Sequence, residues 1–70
     1  MLKRLLITGA AGGLGKVARR RLSHMAEVLR LSDIAELDPA GPNEECVQCD
    51  LGDAAAVMDL VKDCDGILHL

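Results

Sequence analysis

Glycine recurs at every third position in residues 8–15, which read Thr-Gly-Ala-Ala-Gly-Gly-Leu-Gly. An apolar run precedes this segment, and apolar residues at helical spacing follow it. In that context Gly9 permits a tight turn out of a strand, Gly12 lets an anion approach the main chain, and Gly15 allows a helix to pack closely on a sheet. The main-chain N–H groups of Gly12 and Gly13, at the positive end of the helix dipole, would then bind a diphosphate. The alternative is a glycine-rich turn that holds no ligand, which the flanking strand and helix disfavour.

Asp33 is the second residue whose position indicates chemistry, because it stands 18 residues after Gly15 at the predicted end of a strand. A dinucleotide-binding fold places an acidic group there, over the adenosine ribose. The carboxylate accepts hydrogen bonds from both ribose hydroxyls. It would repel a 2′-phosphate, and the repulsion energy is on the order of 4 kcal/mol per charge pair at about 4 Å and an effective dielectric of about 20. None of Ile34, Ala35 and Glu36 supplies a cation for that phosphate. The sequence therefore predicts NAD over NADP; the alternative is a solvated or helix-capping aspartate in a loop.

These residues need a strand before the glycines and a helix after them. Residues 5–7 are apolar without interruption, as in a strand covered on both faces of a parallel sheet. From Gly13 onward apolar residues recur at helical spacing, at Leu14, Val17, Ala18, Leu22 and Met25. Four cations occupy mainly the other surface, where the helix dipole also favours them: Lys16, Arg19, Arg20 and Arg21. Residues 28–31 then predict a second strand that ends at Ser32 and Asp33.

The second half of the chain continues this alternation. Pro39, Gly41 and Pro42 disfavour a regular helix between residues 34 and 45, but the segment is long enough for a parallel crossover. A third strand is predicted over residues 46–49 and a fourth over residues 67–70. Between them we predict a helix with Asp53 as its N-cap and with apolar residues at positions 57, 60, 61 and 64. Strand, helix, strand, loop, strand, helix and strand in this order predict a doubly wound α/β domain of the Rossmann type, with a parallel sheet.

Composition excludes several classes of protein. Seventy residues hold at most one small domain, since domains have roughly 100 to 150 residues. The 8 Lys and Arg against 11 Asp and Glu leave a net charge of −3, which argues against a nucleic-acid partner. No apolar stretch approaches the roughly 20 residues of a membrane-spanning helix. We therefore expect a soluble globular chain with no nucleic-acid or membrane partner.

Cysteine and histidine give weaker signals. The odd number of cysteines, at positions 46, 49 and 64, predicts reduced thiols in a cytoplasmic setting. Residues three apart on a strand point to opposite faces, and no second ligand pair accompanies Cys46 and Cys49, so we predict no metal site. His69 lies in the fourth strand, and we interpret it as a core histidine bonded to the main chain rather than as a ligand contact.

The chain ends within its fourth predicted strand, which leaves an unpaired apolar edge. We therefore expect residues 1–70 to be the N-terminal part of a nucleotide-binding domain, with the catalytic and substrate-binding parts outside this chain. A chain of this length also buries only about 60% of the surface that it exposes when unfolded. The isolated chain is accordingly predicted to be poorly stable and inactive.

Asp50 and Leu51 follow the third strand and add to the pattern of the glycine segment and Asp33. With them the chain resembles the extended short-chain dehydrogenase/reductase family, in which a T-G-x-x-G-x-x-G loop, an acidic end of strand two and an Asp-Leu pair after strand three hold the cofactor. The similarity extends over residues 8–15, 37–51 and 64–70. It implies that Asp50 bonds the amino group of adenine and that Leu51 packs on the ring. It also places a further set of residues along bound NAD: Gly13, Leu14, Asp33, Ile34 and Leu70.

The same resemblance implies an activity. The parent protein would oxidise a hexuronate, galacturonate or glucuronate, at C1 to an aldarolactone, with hydride transfer to NAD, and it would form a homo-oligomer. The family's catalytic tyrosine, with a lysine four positions later, has no counterpart here because the chain contains no Tyr. We therefore assign no catalytic residue to this chain. Two alternatives remain: a sugar-nucleotide epimerase or dehydratase that returns NAD unchanged, and a non-catalytic module that senses a dinucleotide.

Overall fold

Four strands and two helices make up the computed structural model, which describes residues 1–70. In chain order they are β1 (Leu2–Thr8), α1 (Gly13–Arg21), β2 (Ala26–Asp33), β3 (Glu44–Gln48), α2 (Ala54–Leu60) and β4 (Gly66–His69). All strand pairs are parallel, and the sheet has the order β3-β2-β1-β4. This arrangement confirms the predicted α/β class with its parallel sheet and the predicted order of elements.

The two faces of the sheet carry separate apolar clusters because neighbouring residues of β1 point to opposite sides. One cluster contains Leu5 and Ile7 of β1, and Ala18 and Leu22 from α1 and its end pack against it. The other contains Leu6, with Leu60 of α2 and Cys49. The helices therefore cover opposite faces, as the doubly wound prediction requires.

The register of the sheet brings three strand ends to one level. Thr8, the last residue of β1, pairs with Ser32 of β2 on one side and with His69 of β4 on the other. The chain therefore leaves all three strands at the same edge of the sheet, where ligands bind in open α/β sheets.

Several element boundaries differ from the prediction. β1 begins at Leu2 rather than residue 5, because the Leu2 N–H donates to the Met25 carbonyl and the Asp65 carboxylate accepts from the N–H groups of Lys3 and Arg4. α1 ends at Arg21, so Met25 lies outside the helix and precedes β2.

The second helix is also shorter than its apolar spacing predicts, since it ends at Leu60 and leaves Val61 and Cys64 outside. The Nη1 atom of Arg30, on β2, donates to the carbonyls of Leu60 at 2.7 Å and Lys62 at 2.8 Å. Because these carbonyls are held by a distant strand, local periodicity does not reveal where the helix stops. The predicted N-cap is confirmed, as the Asp53 side chain accepts from the Ala56 N–H.

The assignment of Arg19 to the solvated face of α1 is wrong. Its side chain is buried and lies 2.7 Å from Glu44 at the start of β3. It also donates to the carbonyls of Asp38 and Pro39. The Arg19 guanidinium therefore ties α1 to the segment that leads into β3, through charge-assisted hydrogen bonds to Glu44 and to two main-chain carbonyls.

All three cysteines are free thiols. Cys46 packs against the apolar cluster on the α1 side and Cys49 belongs to the cluster on the α2 side, which confirms that they face opposite ways. No group of three or more His, Cys, Asp and Glu side chains is arranged to hold a metal ion. Neither helix has the length and apolar character needed to cross a bilayer.

Candidate functional site

A cavity of about 250 Å³ opens at the carboxyl ends of β1, β2 and β4. Six of the predicted site residues line it: Gly9, Asp33, Ile34, Asp50, Leu51 and Leu70. The other four, Gly12, Gly13, Leu14 and Gly15, lie at the start of α1 immediately after the turn that Gly9 begins. The structure therefore brings together groups that are up to 61 residues apart in the chain.

A larger depression of about 680 Å³ lies between α1 and the loop before β3. Four of its five charged side chains are paired, since Arg19 pairs with Glu44 and Lys16 lies 3.9 Å from Asp38. None of the residues predicted to bind a ligand lines it. We therefore place the candidate site at the smaller cavity, where the predicted residues converge.

The turn out of β1 depends on two glycines, as predicted. Gly9 has a φ of +70°, which L side chains rarely adopt, and a Cβ there would lie 2.8 Å from the Leu70 carbonyl oxygen. A Cβ on Gly15 would lie 2.5 Å from the Cα of Ala10, so the first turn of α1 packs directly on the main chain of the turn. The Ala10 N–H donates to the Ser32 carbonyl at 3.0 Å, which fixes the turn against β2.

The first turn of α1 has no side-chain cap. The Gly12 N–H is already engaged by a long hydrogen bond to the Gly9 carbonyl at 3.4 Å. This corrects the expectation that Gly12 offers a free donor. The N–H groups of Gly13, Leu14 and Gly15 have no acceptor within the chain, but Gly15 is buried whereas Gly13 and Leu14 are exposed. The exposed free donors at the positive end of the helix therefore belong to Gly13 and Leu14.

Asp33 is held in place by the main chain before any ligand contacts it. Its Oδ1 accepts from the Ala35 N–H and its Oδ2 from the Ala11 N–H, each at 3.0 Å. These hydrogen bonds from Ala35 and Ala11 keep the pKa of the Asp33 carboxyl below its usual value. The group is therefore ionised at neutral pH, and each oxygen retains a lone pair for a further donor.

Asp50 and the apolar side chains complete the cavity. The Oδ1 of Asp50 accepts from the Gly52 N–H at 2.8 Å, and its Oδ2 has no partner in the chain. Ile34, Leu51 and Leu70 expose 66%, 47% and 38% of their surface, which leaves apolar walls open to a planar ring. The carbonyl of Ile34 accepts from the Gln48 amide at 2.8 Å, so the wall after β2 is anchored to β3.

The interpretation of His69 as a core histidine bonded to the main chain is wrong. Its side chain is exposed, lines the cavity, and places Nδ1 2.6 Å from the Thr8 hydroxyl. Sequence reasoning also did not assign Thr8, Ser32 or Cys49 to this cavity. Strand position was the feature of the sequence that could have identified cavity residues, because residues at the same level of adjacent parallel strands share a face.

The sequence of this chain matches that of a known protein family. The NAD dependent epimerase/dehydratase family matches residues 5–70. The chain belongs to this family. Its match covers the glycine turn, the end of β2 and the Asp-Leu pair after β3, and it confirms the predicted family resemblance.

Individual relatives in the comparison are uronate dehydrogenases. Over 69 residues, the chain is 70% identical to the uronate dehydrogenase of Agrobacterium fabrum (strain C58). The matched residues cover 99% of this chain and 26% of the relative. Over 67 residues, it is 64% identical to the uronate dehydrogenase of Pseudomonas putida, and the matched residues cover 94% of this chain and 25% of the relative. The chain therefore spans about a quarter of the length of these relatives.

A solved member of the family has the same fold. A mutant uronate dehydrogenase from Agrobacterium tumefaciens complexed with NAD is 70% identical to this chain and superposes with a TM-score of 0.95. The superposition covers 97% of this chain and 26% of the other. The four parallel strands and two helices are therefore an arrangement found in this family.

Proposed function

We propose that residues 1–70 bind the adenosine diphosphate half of NAD and form the N-terminal part of an NAD-dependent uronate dehydrogenase. The observation that carries the binding proposal is the convergence of an ionised Asp33 with the uncapped start of α1 at one sheet edge. The 70% identity to a uronate dehydrogenase supports the choice of activity.

The residues at this edge fit a dinucleotide. A Cβ at Gly13 would meet no atom of the chain within 4 Å, and one at Gly12 would meet only the Gly9 carbonyl oxygen at 3.7 Å. Packing within the chain therefore does not require glycine at either position, and the space beside them is free for phosphate oxygens. We assign the N–H groups of Gly13 and Leu14 to the diphosphate.

The remaining contacts follow the order of groups in the nucleotide. The free lone pairs of Asp33 would accept from the two ribose hydroxyls, and the free Oδ2 of Asp50 would accept from the adenine amino group. Leu51 and Ile34 would pack on the adenine ring, and Leu70 would line the path toward the nicotinamide. An ionised Asp33 accounts for a preference for NAD over NADP, because it repels a 2′-phosphate.

When bound, the cofactor supplies a hydride acceptor for the oxidation of a hexuronate hydroxyl at C1 to the carbonyl of an aldarolactone. The part played by residues 1–70 is to bind and orient the cofactor. We place the group that takes the hydroxyl proton and the groups that bind the sugar carboxylate outside this chain, which contains no Tyr. The three free thiols support a reducing, cytoplasmic setting, and we expect a homo-oligomer.

The test is to supply the full-length protein that carries this sequence with galacturonate or glucuronate and NAD. We expect one NADH formed per uronate consumed, followed by NADH absorbance and by the amount of lactone produced. Absence of NADH with both uronates, in a preparation shown to bind NAD, would contradict the proposal.

The family name favours one alternative, since the family includes epimerases and dehydratases. Such an enzyme would convert a nucleotide sugar without net formation of NADH. Turnover of a nucleotide sugar with constant NADH absorbance, and no reaction with uronates, would establish this alternative.

A further inference from the structure

Gln48, the last residue of β3, uses its side-chain amide on the segment that follows β2. Its Nε2 donates to the Ile34 carbonyl at 2.8 Å. In the sheet Gln48 pairs with Asp33, so the amide reaches the residue that follows its own strand partner. Gln48 is exposed and does not line the cavity. Its connection to the candidate site therefore runs through the main chain at the end of β2.

The carbonyl that Gln48 contacts belongs to the peptide group between Ile34 and Ala35. The N–H of the same peptide group donates to Oδ1 of Asp33 at 3.0 Å. Because a peptide group is planar, its carbonyl and its N–H rotate together. A hydrogen bond to the carbonyl also strengthens the N–H as a donor. Gln48 and Asp33 therefore hold the two sides of one rigid unit.

Few other contacts fix this peptide group. Residues 34–36 lie outside the helices and strands, and they take part in no hydrogen bond between main-chain groups. Without the Gln48 amide, the peptide group could rotate and withdraw its N–H from Oδ1 of Asp33. The carboxylate would then be held at one oxygen, by the Ala11 N–H. The amide of Gln48 thus contributes to the orientation of the carboxylate.

We propose that Gln48 is a positioning residue for the ribose contact, whose amide holds the peptide after Ile34 so that the Asp33 carboxylate stays in place to accept both hydroxyls of the adenosine ribose. The inference rests on the proposed function, because it takes Asp33 as the ribose ligand of NAD. It gives β3 a part in recognising the ribose without a direct contact to the nucleotide.

The test measures binding of ADP by titration calorimetry to the full-length protein and to its Gln48→Met variant, which keeps the length of the side chain but has no N–H donor. We expect ADP binding to weaken about three- to tenfold, as for the loss of one hydrogen bond. 2′,3′-Dideoxy-ADP, which lacks both ribose hydroxyls, should bind both proteins equally. In turnover, the KM for NAD should rise by a similar factor with kcat unchanged, because the adenosine ribose is remote from the nicotinamide.

Asn43→Leu is the matched control, because the Asn43 amide donates to the Ser23 carbonyl at 3.0 Å and neither residue lines the cavity. This variant loses a hydrogen bond of the same kind and should bind ADP as the unchanged protein does. A double-mutant cycle tests whether Gln48 acts through Asp33. In an Asp33→Ala background, Gln48→Met should cause no further loss of ADP affinity, since the carboxylate that it positions is absent.

The possible failures give different results. Equal weakening of ADP and dideoxy-ADP binding in Gln48→Met, or the same loss in the Asp33→Ala background, would show an effect other than ribose positioning and overturn the role of Gln48. Unchanged ADP affinity in Gln48→Met, with a loss of affinity in Asp33→Ala, would also overturn it and leave the proposed function intact. Absence of ADP and NAD binding in the unchanged protein would overturn both proposals.

Discussion

The Asp33 carboxylate connects the two halves of the candidate site at the scale of single residues. Because it accepts from the Ala11 N–H, it holds the glycine turn as well as facing the cavity. Its hydrogen bond from Ala35 fixes the segment after β2 in the same way. The residue proposed to bind the ribose therefore also sets the position of the loop proposed to bind the diphosphate.

Replacing Asp33 with serine should weaken NAD binding and reduce the preference of the enzyme for NAD over NADP. We expect a loss of about 2 kcal/mol, or roughly 30-fold, for NAD, since hydrogen bonds to a charged acceptor are lost. The repulsion of a 2′-phosphate is lost too. The readout is kcat/KM with each cofactor. Asp59→Ser, which removes a carboxylate of α2 outside the cavity, is the control, and an unchanged ratio in Asp33→Ser would reject the role of Asp33.

Gly15→Ala should destabilise the protein by about 3 kcal/mol, because its Cβ would lie 2.5 Å from the Ala10 main chain. Gly13→Ala is the matched variant, since a Cβ there meets nothing within 4 Å and alanine favours a helix by about 0.5–1 kcal/mol. Urea unfolding of both variants checks the difference. Equal stability of the two variants would contradict the close packing of α1 on the turn.

At the scale of elements, one largely buried ion pair joins α1 to β3. The side chains of Arg19 and Glu44 are 9% and 12% exposed, and Glu44 also accepts from the Gly41 N–H at 2.7 Å. The hydrogen bond from Arg19 lowers the pKa of Glu44, and the hydrogen bond to Glu44 raises the pKa of Arg19. The pair thereby holds the long connection before β3 against the outer side of α1.

Acid should remove the contribution of this pair to stability. Because the pKa of Glu44 is lower in the folded than in the unfolded state, its contribution is present above about pH 4.5 and is lost as the pH falls through the lower folded value. Glu44→Gln should therefore destabilise the full-length protein by about 3 kcal/mol at pH 7.

The difference between Glu44→Gln and the unchanged protein should shrink in acid, below the lowered pKa of Glu44. Urea unfolding at several pH values measures it. Asp38→Asn is the control, since Asp38 and Lys16 are exposed and 3.9 Å apart, and such a pair contributes about 0–1 kcal/mol. A difference for Glu44→Gln that does not depend on pH would contradict this account.

At the scale of the whole molecule, little of the chain is buried. Only 13 of 70 residues are buried, and large apolar side chains such as Met58 and Ile67 are 71% and 58% exposed. Both edges of the four-stranded sheet, at β3 and β4, lack a further strand. An apolar core of this size contributes little against the loss of chain entropy.

The isolated seventy residues should therefore show no cooperative thermal transition at micromolar concentration. Calorimetry and far-ultraviolet circular dichroism provide the measurement, with the full-length protein as the control. A sharp transition in the isolated chain, at a temperature near that of the full-length protein, would contradict the prediction.

Much of the fold and part of the site could be predicted because their signals are local. The alternation of strands and helices, the turn at Gly9 and the cap at Asp53 each depend on residues within a few positions of one another. Six predicted site residues meet in one cavity, since parallel strands end at the same edge. The assignments of Arg19 and His69 were wrong because their partners, Glu44 and Thr8, are distant in sequence.

The amino-acid sequence by itself determined the order of the elements, the glycine turn and the acidic end of β2, because hydrophobic period and backbone freedom act over short distances. The tertiary structure decided which N–H groups at the start of α1 remain free, where α2 ends against Arg30, and that the Ser32 hydroxyl is buried without a partner. These features depend on which strands become neighbours, and pairing at long range sets hydrogen bonds that no local pattern contains.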